Sequence, residues 1–69
     1  MDLKIETKFG IKNANFVQDI DGGYSGELDV GIKGNILAQG DDLHDCISNL
    51  QNAAFDVWMH LNSFNYKNN

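Results

Sequence analysis

Between residues 42 and 61 the apolar positions are Leu43, Cys46, Ile47, Leu50, Ala53, Ala54, Val57, Trp58 and Leu61. They recur at i, i+3, i+4 and i+7, which is the rhythm of one helical face, and they predict an amphipathic helix over 42–61. Asp41 and Asp42 stand before the first apolar position, where a carboxylate can cap free backbone N–H groups. Asp45 puts negative charge in the first turn, which the helix dipole favours. Gly40 is read as the point where the chain turns into the helix.

Upstream the period changes to two. Over residues 2–9, Leu3, Ile5, Thr7 and Phe9 alternate with Asp2, Lys4, Glu6 and Lys8, as in a strand with one buried and one wet face. Ile11 and Lys12 extend it past Gly10, and the lysines suit a guarded edge strand. Asn13-Ala14-Asn15 is read as a turn. Residues 15–20 then form a second strand with Phe16 and Ile20 on one side. Asp21-Gly22-Gly23 supplies the positive φ angles that a tight hairpin needs. In the third strand, residues 24–30, Tyr24, Gly26, Leu28 and Val30 share a face, and Gly26 marks a bulge or a close approach by another element. Gly31–Gly34 is a loop and 35–39 a short fourth strand. The last eight residues hold four asparagines. Phe64 and Tyr66 alternate there, which fits a short strand or a frayed end equally. Short connections imply antiparallel neighbours. The prediction is one α+β domain over 1–69: an antiparallel sheet of three to four strands with one long C-terminal helix packed on one face.

Charge and length narrow the functional classes. Ten acidic residues face five lysines, with no arginine, for a net charge of −5. That balance disfavours direct binding to nucleic-acid phosphates and suits a basic protein partner or plain solubility. A chain of 69 residues builds a small core, so self-association into a dimer or higher oligomer is expected. The single cysteine, Cys46, cannot form an internal disulfide and lies on the apolar helical face as a small hydrophobe. No apolar run is long enough to span a membrane, and no leader is apparent, so a cytoplasmic protein is expected.

The stretch Gly22-Gly23-Tyr24, a strand, a glycine-containing loop, a short strand and then Gln39-Gly40-Asp41-Asp42-Leu43-His44-Asp45-Cys46-Ile47-Ser48-Asn49-Leu50 resembles the HicB-like antitoxin family. Gly40, Asp41, Leu43, Asn49, Leu50 and Ala53 fall where the family pattern puts them, and the resemblance covers roughly residues 15–61. It implies a partial RNase-H-like fold without nuclease activity, self-association, and the binding and blocking of a small basic ribonuclease toxin. Four features depart from the pattern. The family's proline-containing loop is replaced by Val30-Gly31-Ile32-Lys33-Gly34, the stretch from Gly34 to Gly40 is one residue longer, the amino-terminal strand is an addition, and no DNA-binding segment follows the helix. Autorepression of an operon is therefore not expected. The same scaffold would serve a phage protein that blocks a host defence factor. An oligomeric binder of a small nucleotide signal is a further alternative, weakened by the absence of arginine.

Asp19, Asp21, Glu27 and Asp29 flank one hairpin and form a candidate acidic partner surface. A metal site there is not expected: a calcium loop needs Gly at the sixth position, and Gly23 and Tyr24 occupy the fifth and sixth. Turn chemistry and the wet face of strands explain these acids more simply. His44 and His60 lie about 24 Å apart along the helix and cannot share a metal. Phe55 and Met59 fall off the main apolar stripe, four residues apart, and with Phe64 and Tyr66 they make a candidate oligomer or partner face. No catalytic residue, metal ligand or cofactor is assigned, and an enzyme is not expected.

Overall fold

The computed structural model describes residues 1–31 and 34–67, with side chains for 1–31 and 34–62. Four strands, β1 (Asp2–Thr7), β2 (Gly10–Gln18), β3 (Tyr24–Asp29) and β4 (Asn35–Gly40), precede one helix, α1 (Leu43–Lys67). The strands form a single antiparallel sheet in the order β1-β2-β3-β4. The fold is thus the α+β arrangement that the change of period predicts.

The first hairpin turns earlier than expected. Thr7 pairs with Gly10, so Lys8 and Phe9 make the turn, and Asn13-Ala14-Asn15 lies inside β2. Local hydrogen bonds support this turn. The Thr7 hydroxyl accepts a hydrogen bond from the Phe9 amide at 3.0 Å and donates one to the Gly10 carbonyl at 2.7 Å. Gly10 takes φ +100°, a conformation that side-chain-bearing residues rarely adopt. Asn15, which looked like a turn residue, instead donates across the strands to Asp2 at 2.8 Å.

The second hairpin is where Asp21-Gly22-Gly23 places it. The Gly22 amide bonds the Asp19 carbonyl at 3.0 Å, and Gly22 has φ +98°. Ile20 is at the tip of this turn and fully exposed, so it does not share the core face with Phe16. The predicted strand to residue 20 is too long, because the turn begins at Asp19.

The core lies between the sheet and the first half of the helix. Ile5, Ala14, Phe16, Leu28 and Ile36 project from the sheet to meet Cys46, Leu50 and Ala54. Two glycines set the closeness of this contact. A Cβ on Gly26 would lie 2.7 Å from the Phe16 ring and 3.1 Å from the Cys46 sulfur. Gly26 pairs with Phe16 in an unbroken register, so it marks a close approach and not a bulge. A Cβ on Gly40 would lie 2.7 Å from the Cys46 Cα. Gly40 is the last residue of β4, and its role is to let the helix backbone rest on the strand.

The helix is hydrogen-bonded to both edges of the sheet. Asn49 donates to the Gln39 carbonyl on β4 at 2.7 Å, and Gln51 donates to the Glu6 carbonyl on β1 at 3.0 Å. These carbonyls belong to the two outermost strands.

The helix continues past the predicted end at Leu61 to Lys67, so the tail is neither a strand nor a separate coil up to that point. No Pro or Gly interrupts it, and asparagine lowers helix propensity only modestly. The Asn62 side chain donates back to the Trp58 carbonyl at 2.8 Å. The molecule is accordingly long, with principal extents of 47 × 17 × 17 Å. No described helix is long and apolar enough to cross a membrane.

Candidate interaction surfaces

Alternation along the strands decides what the outer face of the sheet carries. The charged and aliphatic residues opposite the core set are Asp2, Lys4 and Glu6 on β1, Ile11 and Val17 on β2, Glu27 and Asp29 on β3, and Leu37 on β4, interspersed with asparagine, serine and glutamine. Ile11, Val17 and Leu37 are 68%, 58% and 69% exposed. No described element covers this face, and its charges are four carboxylates against one lysine. Glu27 accepts a hydrogen bond from the neighbouring Asn35 side chain. Asp29 accepts one from the Gly31 amide at 2.8 Å, which holds the start of the β3–β4 loop.

The four acids grouped on sequence therefore split into two places. Glu27 and Asp29 are on the outer sheet face. Asp19 and Asp21 sit at one end of the sheet, where Asp41 and Asp45 join them around an open cleft of about 540 Å³. Sequence reasoning read Asp41 and Asp45 only as helix-start residues. Their meeting with the hairpin acids depends on β4 bringing Gly40 alongside Gly23 and Tyr24.

The cleft carboxylates are largely committed to local structure. Asp42 accepts from the Asp45 amide at 2.8 Å, capping the helix start, and Asp45 accepts from the Asp41 amide at 3.0 Å. Asp21 accepts from the Gly23 amide at 3.1 Å, and Asp19 accepts from the Ser25 hydroxyl at 3.1 Å. Among the described residues, no three His, Cys, Asp or Glu side chains are placed to hold a metal ion. The cleft's charge also reaches inward. Burial pushes the Cys46 thiol above its ordinary pKa, and the carboxylates of Asp19 and Asp45 push it further. The thiol is fully buried and faces the Ala38 carbonyl at 3.8 Å, so it is a protonated core group and not a nucleophile. His44 and His60 are both exposed on the helix.

Phe55 and Met59 are 40% and 47% exposed. Phe55 stacks on Trp58 with ring centroids 6.4 Å apart, and the Lys8 ammonium sits 5.6 Å from the Phe55 ring and 5.3 Å from the Trp58 ring. This cation–π contact ties the β1–β2 turn to the helix and uses part of the patch internally. Gln51, Phe55 and Met59 fall on one helical stripe, and Gln51 reaches the edge of β1. The patch thus lies on the β1 side of the molecule. The side chains of Phe64 and Tyr66 lie outside the described residues.

The fold and these surfaces define a two-layer α+β protein with one covered and one open sheet face. Compared with known protein families, curated proteins and solved structures, the chain matches none. The likeness to HicB-like antitoxins rests on the residues quoted for it.

Proposed function

We propose that the chain is a small, self-associating protein-binding module that occupies and blocks a basic partner, in the manner of an antitoxin acting on a basic nuclease. The observation that carries this reading is the open outer face of the sheet. It combines three exposed aliphatic side chains with an excess of carboxylates. Apolar anchors within a charged surround are the composition of a protein interface, and an excess of one sign steers a partner of the other. The resemblance over residues 15–61 supports the same direction. A phage protein that blocks a nucleic-acid-handling defence factor would use the same face, since both targets are basic.

The test is titration of the protein into a panel of small basic ribonucleases, followed by light scattering and calorimetry. A stable complex is expected, with association slowed by salt. The double variant Glu27→Lys/Asp29→Lys is expected to weaken it by roughly a hundredfold, about 3 kcal/mol. Absence of a complex with every basic partner, or an affinity unchanged by the charge reversal, overturns the proposal.

A further inference from the structure

We infer that two copies of this chain join edge to edge through β1, antiparallel about Ile5, to form one continuous eight-stranded sheet. This rests on the self-association in the proposed function and not on the identity of any partner. Met1 and Phe16 exchange both backbone hydrogen bonds, at 2.8 and 2.9 Å. In an antiparallel ladder such bonded pairs alternate, so odd positions of β1 bond β2 while Asp2, Lys4 and Glu6 turn their amides and carbonyls outward. A second β1 can meet these outward groups only in registers that place even positions opposite even positions.

Charge selects among those registers. Centring the pair on Lys4 sets Lys4 against Lys4 and Asp2 against Glu6, which repels throughout. Centring it on Glu6 sets Glu6 against Glu6 and Lys4 against Lys8. Centring on Leu3 pairs Asp2 with Lys4 but leaves Glu6 beyond the second strand. Centring on Ile5 sets Lys4 opposite Glu6 and Glu6 opposite Lys4, two attractive pairs related by the two-fold axis. Both side chains are exposed on the outer face.

The inner face agrees. This register places Ile5 against Ile5, Leu3 against Thr7 and Met1 against Phe9. Met1 is 57% exposed and Leu3 and Phe9 are half-buried in the single chain, so all three have apolar surface left to cover. Both helices lie on the same side of the joined sheet, and the stripe bearing Phe55 and Met59 is on the β1 side, toward the second copy. The Glu6 carbonyl already accepts from Gln51, but an amide carbonyl has two lone pairs, and the second is open to the Lys4 amide of the other copy. The other edge strand, β4, carries no charged residue that would fix a register.

Charge reversal tests the pairing through sedimentation equilibrium of the whole chain, with circular dichroism confirming that each variant keeps its fold. Wild type is expected to dimerise. Lys4→Glu replaces both attractions with repulsions and is expected to raise the dimer Kd by roughly ten- to a hundredfold, and Glu6→Lys by a similar factor. An equimolar mixture of the two variants restores a dimer, because every facing pair is again opposite in sign. A wild-type protein that stays monomeric overturns both this interface and the self-association it rests on. A wild-type dimer indifferent to both reversals overturns the β1 pairing alone and moves self-association to another surface.

Discussion

On its inner face the sheet presents Ile5, Ala14, Phe16, Leu28 and Ile36, all at most 9% exposed beneath the helix. On its outer face the same strands present Ile11, Val17 and Leu37, none less than 58% exposed, among carboxylates. Periodicity sorts the two faces, since the outer aliphatics stand singly among carboxylates and asparagines. The inner set is also distinguished by shape. Gly26 and Gly40 remove the Cβ atoms that would hold the helix off, and Phe16 and Cys46 fill the space. Among the described residues the outer set has no such complement. Stability therefore resides on one face, and the other contributes little to it.

The sharpest way to break this contrast is Phe16→Ala. It empties the largest fully buried side chain and is expected to cost about 3–5 kcal/mol. A domain of this size has roughly 3–10 kcal/mol in total, so urea titration should find the variant largely unfolded. A loss below about 1 kcal/mol would mean that the core is looser than its packing indicates.

Gly40→Ala comes next. The new Cβ would press on helix backbone, which cannot rotate away as a side-chain tip can. An overpacking cost of about 3 kcal/mol is expected in the same urea titration.

Alkaline pH probes the inner face more gently. The Cys46 thiol has its pKa raised by folding above the ordinary 9.0, first by burial and then by Asp19 and Asp45. Its neutral form contributes stability in full below the unfolded-state value, and that contribution is lost as pH rises through the folded-state value. Thermal melts should show wild type losing stability above about pH 9 more steeply than Cys46→Ala, with parallel curves near neutrality.

The smallest effect is expected on the outer face. Val17→Thr and Leu37→Thr should each change folding stability by no more than about 0.5 kcal/mol, because no packed neighbour is lost. If either destabilises the isolated chain by more than 1 kcal/mol, the outer face is not open in solution, and oligomer formation at the assay concentration is the first thing to measure.

Much of this architecture was legible in the amino-acid order. The change from period two to period 3.6 gave the helix and the inward sides of the first and third strands, because burial follows periodicity directly, while Ile20 was misplaced beside Phe16. Asp42 and Asp45 gave the helix start, and Asp21-Gly22-Gly23 gave one turn, since capping and positive φ are local demands. The first turn was not legible. Lys8-Phe9-Gly10 and Asn13-Ala14-Asn15 both carry turn residues, and the choice between them is made by which pairing lets Ala14 and Phe16 reach the helix. Nor could the order of residues show that Asp19 and Asp21 meet Asp41 and Asp45 in one cleft while Glu27 and Asp29 lie elsewhere. Periodicity assigns a side chain to a face, but only the closing of strand on strand and helix on sheet brings distant positions within reach of each other. That closure decided how closely the helix approaches at Gly26 and Gly40, which edges its amides cover, and which face of the sheet is left open.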